Sequence, residues 1–376
     1  MSRGPVYPLT TSIGLAMIQP LGNPYKLGSK LGHYDPFPRP YFAVERAPMN
    51  INQKILNSVA FIGIKKKEKF LPRATAFFVR YYDGQHGFDH IVTAEHVIAG
   101  LMTANEEIWL RVNGKAGNAE EIKFPDPRVF RFHPDTDVTP TDVAVCPFSA
   151  GNVFDDEDAN KKVDLDMVSL NLNGPNGFIP TEEFAKKSIV LGGDIAIVGL
   201  FRSHYGTNQN VPVIRVGNIS TLLGEPIYTK YTGYVEAYLV ESRSIAGLSG
   251  SPVFVFADTT LALANMLGGK PVGQSSALLG LVHGHFDVPD LNADVVTEKD
   301  APERSVHTGM GVVIPVTKII ETINHPELVA MRKQVISELR DKTGASADLA
   351  QSEKLPKSLP LPPKRTPNTE RISTLL

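Results

Sequence analysis

Between about residue 52 and residue 315 the chain alternates short apolar runs, rich in β-branched and aromatic residues, with turn-forming Gly, Pro, Asn and Asp. The runs are Val59–Ile64, Ala74–Tyr82, His90–Thr93, Ile108–Val112, Val129–Phe132, Val143–Pro147, Ile195–Leu200, Val211–Val216, Tyr234–Val240, Pro252–Phe256, Leu278–Val282 and Gly311–Ile314. About a dozen short strands separated by turns predict an all-β architecture of sandwiches or barrels rather than a βαβ sheet. An acidic, Asn- and Gly-rich stretch from Phe154 to Pro180 reads as a connection between two halves, at about 51–150 and 185–315. A second interruption, Asp287 to Ser305, reads as a surface loop.

After Pro315 the period changes. Ile319, Ile320 and Ile323 share one short face, and beyond Pro326 the spacing of Leu328, Met331, Val335, Ile336 and Leu339 predicts a helix over 326–343. The main unit therefore spans 51–325. Residues 1–50, rich in Pro, Gly and Tyr, follow neither period and predict an irregular arm. Residues 344–376 have the Pro-, Ser- and Lys-rich composition of a disordered tail.

Composition narrows the function classes. With 38 Lys+Arg against 40 Asp+Glu, no electrostatic reason points to a nucleic acid or an anionic membrane as partner. The single cysteine, Cys146, excludes an internal disulfide and a multi-cysteine zinc site, and favours a reducing compartment. The apolar stretch Ile13 to Ile18 stops at Gln19-Pro20, too short for a secretory core, and no run approaches the ~18 residues of a membrane span. A soluble, cytoplasmic protein is expected. No phosphate-binding or dinucleotide fingerprint occurs, so no cofactor is expected.

The sharpest chemical signal is Gly247-Leu248-Ser249-Gly250-Ser251-Pro252. A serine between glycines ahead of a β run suits a nucleophile on a tight turn, where the backbone can approach a substrate closely. The amides of Gly247 and Ser249 could both face a developing oxyanion. A G-x-S-x-G elbow is absent, because the fifth residue is Ser251. A serine needs a base. His96 follows the run His90–Thr93 and would emerge just past a strand end. Asp142, directly before Val143-Ala144-Val145, can orient an imidazole, with Asp135 and Asp137 as competitors in a more hydrophilic setting.

The order His96, Asp142, Ser249 and the flanking residues resemble the chymotrypsin-like serine endopeptidases, in particular their bacterial HtrA-type branch. Thr93-Ala94-Glu95-His96 is similar to the family's T-A-x-H motif, Asp142-Val143-Ala144 to D-[IV]-A, and Gly247 to Pro252 to G-x-S-G-[GS]-P. Leu279-Gly280-Leu281-Val282 resembles the substrate-binding strand, and Gly311 to Pro315 the last barrel strand. The resemblance covers about 59–324. It implies two six-stranded β-barrels of the chymotrypsin type with a cleft between them and a C-terminal helical segment following. It further implies a Ser249 nucleophile, His96 as base, Asp142 behind it, an oxyanion hole of Gly247 and Ser249 amides, and a protein or peptide substrate.

Two departures qualify it. Leu248 stands where digestive members carry an acid before the serine, so activation through a freed amino terminus is not expected. No PDZ-like glycine loop follows residue 324. By position, Arg243 and Ser244 fall at the floor of the S1 pocket, with His283 and His285 on the opposite wall, a set that favours an acidic P1 side chain. His283 and His285 alternate on one strand, yet no third ligand for a metal is evident, so no metal site is assigned. Lys65-Lys66-Lys67 reads as a solvated hairpin tip, and Pro360 to Arg365 as a common tail sequence of PxxP type. An idle protease fold used as a binding module and an esterase-like hydrolase are the competing functions.

Overall fold

A computed structural model describes residues 51–134, 140–148, 164–229, 232–242, 247–257, 275–289 and 305–345. The expected arm at 1–50, the tail beyond 345 with its Pro360 to Arg365 sequence, Asp135, Asp137, residues 154–163 of the expected connection and 290–304 of the expected surface loop lie outside the described residues.

The first half is one sheet of eight strands: β1 (Val59–Lys66), β2 (Lys69–Asp83), β3 (His86–Thr93), β4 (Trp109–Asn113), β5 (Ala119–Lys123), β6 (Arg131–Phe132), β7 (Ala144–Pro147) and β8 (Leu170–Asn171). The order is β5-β4-β1-β2-β3-β7-β6, with β8 parallel on β2. The β1–β2 hairpin closes through Lys67 and Glu68, both at positive φ, so its register comes from a two-residue turn of the primed type that matches strand twist. The Lys65–Lys67 run is thus the hairpin tip that the sequence suggested. Gly63 sits at a register shift where a Cβ would fall 2.4 Å from the Leu71 carbonyl oxygen, which leaves room for glycine only.

The second half closes. Strands β9 (Asp194–Gly199), β10 (Val213–Thr221), β13 (Tyr238–Glu241), β14 (Pro252–Phe256), β15 (Ser276–Pro289) and β16 (Ser305–Pro315) form a six-stranded barrel, with a small β11 (Ile227–Thr229) and β12 (Gly233–Val235) hairpin beside it. The all-β, two-part architecture expected from the sequence is present; the barrel in the second half is closed, whereas among the described residues the end strands β5 and β6 of the first sheet do not pair. β6 is only two residues long and follows the 3-10 turn Pro127–Val129, so little ladder is available to close that edge.

Three apolar clusters hold this together. Ala60, Ile62, Phe78, Ile91, Ile98 and Leu110 fill the first half, and Ile195, Ile197, Val240, Val253, Leu279 and Val313 the second. The third joins Phe61, Phe77 and Val143 from the first sheet to Val198, Phe254 and Leu281 from the barrel. The stretches Val59–Ile64 of β1, Ala74–Val79 of β2 and Ala144–Cys146 of β7 are therefore buried on both faces, which is why they read as continuous apolar runs. Each fully buried side chain of this kind contributes roughly 1.5–3 kcal/mol.

Among the described residues four helices matter less to the site, and a fifth carries it. Helix α1 is Gln53–Leu56, α2 is Glu95–Thr103 and α3 is Glu182–Ser188; α4 (Val316–Ile323) and α5 (Pro326–Ala345) follow the barrel. Ile319, Ile323, Leu328 and Met331 join the shared cluster. Arg332, only 1% exposed, donates to the Ile323 carbonyl at 2.7 Å and to Asn324 Oδ1 at 2.8 Å, satisfying the open carbonyl end of α4. Among the described residues no helix is long and apolar enough to cross a membrane.

Candidate active site

Helix α2 is the fifth. It begins directly after β3, so His96 lies in its first turn, at the strand end that the sequence indicated. Ala94 at the N-cap has no side chain to satisfy the open amides. Asp142, just before β7, satisfies one of them: its Oδ1 accepts the His96 backbone N–H at 2.8 Å. Its Oδ2 accepts the Nδ1–H of the His96 ring at 2.7 Å. An ionised carboxylate can only accept, so His96 carries its proton on Nδ1 and leaves Nε2 as the basic nitrogen.

A second imidazole meets the same oxygen. The Nδ1–H of His283, on β15, donates to Asp142 Oδ2, and its Nε2 lies 3.5 Å from Thr232 Oγ1. The two rings stand edge to face with centroids 5.4 Å apart. The sequence reading put His283 in the wall of a substrate pocket; here its ring is buried, 2% exposed, behind the carboxylate. His285, two residues on, is half-buried.

Charge follows geometry. Burial opposes ionisation of Asp142, yet His96 and His283 together hold its carboxyl well below the usual carboxylate range. Burial also works against a charged His96, but the adjacent Asp142 outweighs it and raises the ring above its ordinary value. The three ligand-type atoms lie within 4.8 Å of one another. At 2.7 Å, however, the His96–Asp142 separation is that of a hydrogen bond; two ligands on one tetrahedral zinc stand roughly 3.3 Å apart. The cluster is built to share protons.

The glycine-flanked serine turn leaves the barrel just ahead of β14 and is held against the first sheet. Thr75, fully buried on β2, donates its backbone N–H to the Ser249 carbonyl at 3.0 Å and its hydroxyl to the Gly247 carbonyl at 3.1 Å. The same hydroxyl accepts the Leu200 N–H at 2.9 Å, and the Thr75 carbonyl accepts the Thr93 hydroxyl at 2.8 Å. Gly250 donates to the Val282 carbonyl at 2.8 Å, next to His283. It has φ +79°, and a Cβ there would meet the Thr75 carbonyl at 2.3 Å and the Ala94 nitrogen at 3.1 Å, two residues from His96. Glycine is required for both reasons. Gly247 has φ +106° and lies under the Arg202 side chain.

Burial separates the two serines. Ser251 is 0% exposed and its hydroxyl fills the space that a Cβ on Gly199 would take, whereas Ser249 is half-exposed. Leu248 is buried in the barrel core and anchors the turn from below. With the carbonyls of Gly247 and Ser249 turned toward Thr75, neither residue's N–H has an acceptor among the described residues. The Ser249 hydroxyl makes no hydrogen bond to His96 among them. Burial pushes the Cys146 thiol up to about 12, so the chain's one cysteine is not a competing nucleophile.

Arg243 and Ser244, the expected S1 floor, lie outside the described residues. Beside Gly247 a groove of about 650 Å³ runs between β2 and the segment after β9, lined by Lys69, Phe70, Arg73, Phe201, Arg202 and Tyr205 among others. Its three cations have no ion-pair partner among the described residues. Sequence reasoning missed this groove and also Thr75; a lone threonine inside an apolar strand carries no signal of its own.

Similar folds are found among solved structures. They include Deg5, at 16% identity and TM-score 0.35, matched over 71% of this chain and 88% of that one. The MamO protease domain from Magnetospirillum magneticum matches at 12% identity and TM-score 0.38, over 71% and 96%. The active form of the Rv3671c protease from M. tuberculosis matches at 16% and 0.34, over 72% and 81%. No protein-family model and no curated protein matches.

Proposed function

We propose that this protein is a cofactor-independent serine endopeptidase in which Ser249 is the nucleophile, His96 the general base and Asp142 the group that orients and stabilises the imidazole. The observation that carries the reading is the His96–Asp142 pair: Nδ1–H on a buried carboxylate at 2.7 Å leaves Nε2 free to take a proton. Gly250 of the serine turn packs against the backbone of Ala94, the second residue before that histidine in sequence. In the proposed reaction Ser249 Oγ attacks the scissile carbonyl carbon while its proton passes to His96 Nε2. The amides of Gly247 and Ser249 then receive the oxyanion, and His96 returns the proton to the departing amine. Water repeats the sequence to release the acyl group. An acidic substrate segment is favoured by the groove cations Lys69, Arg73 and Arg202, which have no ion-pair partner among the described residues, with Arg202 beside Gly247.

Covalent labelling with a fluorophosphonate probe, located by mass spectrometry, tests this. The adduct is expected on Ser249 in the native protein and absent from Ser249→Ala and His96→Ala. A folded native protein that takes no label supports the competing reading, an idle fold that binds proteins. Label at Ser249 without peptide cleavage, but with turnover of small esters, supports the esterase.

A further inference from the structure

Asp142 is held from two sides. His96 and Asp142 come from the first sheet, at the end of β3 and just before β7; His283 comes from β15 of the barrel. The carboxylate therefore takes three N–H donors: the His96 backbone and ring from one half of the molecule, and the His283 ring from the other. Asp142 is 1% exposed and its side chain is closed to solvent, so its partners in the folded protein are protein groups. A buried carboxylate that lost one would rotate or draw a proton to recover the interaction.

His283 is itself fixed. It is the extra residue of a bulge in the β15–β16 ladder, between Val282, which pairs Val313, and Gly284, which pairs Val312. Its far nitrogen faces Thr232, whose hydroxyl is 2.7 Å from that of Thr229. Val282 holds the serine turn through both its N–H, given to Ser251 at 2.9 Å, and its carbonyl, which receives Gly250 at 2.8 Å. One strand segment, Val282-His283, thus holds the nucleophile's turn with its backbone and the orienting carboxylate with its side chain.

We propose that His283 is a positioning residue of the site: it locks the Asp142 carboxylate in the orientation that keeps His96 as the Nδ1–H tautomer with Nε2 toward Ser249. It touches neither substrate nor the reacting atoms. The assignment rests on the endopeptidase reading above, and it deepens that reading by making the competent site depend on both halves being docked.

The test compares wild type, His283→Ala and His283→Asn, the last because an asparagine amide can present a donor where Nδ1 stood. Fluorophosphonate labelling and peptide cleavage are measured beside thermal unfolding and the exchange-protected imidazole N–H signals in proton NMR. The expected result is a fall in labelling rate and kcat of about tenfold to a hundredfold in His283→Ala, the effect of one lost donor to a buried charge. KM should stay within about twofold, and His283→Asn should recover most of the rate. The His96 Nδ1–H signal should shift or vanish in the alanine variant and return in the asparagine variant.

Labelling at the wild-type rate by folded His283→Ala overturns the proposal. So does an asparagine variant that is fully stable yet no faster than alanine. If wild type takes no label, the endopeptidase reading fails on that result alone. The NMR signal then decides positioning, and an unmoved His96 signal in His283→Ala overturns it.

Discussion

The backbone N–H of Thr75 donates to the carbonyl of Ser249 at 3.0 Å, so the serine turn that leaves the barrel is seated by a strand of the opposite sheet. The Thr75 hydroxyl adds the Gly247 carbonyl and the Leu200 amide, one as acceptor and one as donor. Thr75→Val keeps the branched shape and deletes the hydroxyl. Chemical denaturation should show a loss of about 1–3 kcal/mol, because a buried amide and a carbonyl lose their partner. Labelling at Ser249 should slow as well, since the Gly247 carbonyl is then free to turn. Unchanged stability and unchanged labelling would both count against this role.

The pH dependence of labelling follows from His96. Asp142 raises the ring above its ordinary value of 6.5, with His283 the other titratable group facing that carboxylate. The base must be neutral to accept the serine proton. Labelling should therefore fall as pH drops through a midpoint above 6.5. A profile whose acid midpoint sits well below that value would mean that the carboxylate does not support His96 in solution.

His90 behaves in the opposite sense and reports on stability rather than chemistry. It lies fully buried on β3, and burial first, with Arg332 second, pushes its pKa down to about 4. The unfolded chain binds this proton near 6.5 and the folded chain only near 4, so the contribution is whole above 6.5 and is lost as pH falls from there to 4. The difference amounts to about 3 kcal/mol. Denaturation at pH 7.5 and 4.5 should show that His90→Leu loses less stability on acidification than wild type, by an amount of that order.

Charge in the groove beside Gly247 should select substrate. Exchanging both Arg73 and Arg202 for glutamate should lower kcat/KM for a peptide carrying Asp and Glu by about tenfold and raise it for the matching Lys peptide. The effect should shrink with added salt. Equal losses for both peptides would indicate a damaged site instead of a charge preference.

Much of this was open to a reader of the sequence alone. Runs such as Val59–Ile64 and Pro252–Phe256 became β1 and β14, because strands buried on both faces must be apolar throughout. Strand β5, Ala-Glu-Glu-Ile-Lys, was not legible: an edge strand with one face in water needs little apolar content. Helix α3 is signalled only locally: Thr181 caps it by accepting the Phe184 N–H, and Glu182 and Glu183 lie in its first turn, inside a stretch whose Asn- and Gly-rich composition reads as a connection.

The sequence by itself determined the residue types and their order: an imidazole after one strand, an aspartate before another, a serine between glycines. Those are local properties, set by turn chemistry and by the period of the strands. Only the tertiary structure decided which groups meet. It separated Ser249 from Ser251 by burial, gave Thr75 its four hydrogen bonds, and turned His283 onto Asp142 across the junction of the two halves. The physical reason is range. A hydrogen bond between residues 141 positions apart leaves no periodicity in the chain, and exists only once the two buried faces have packed.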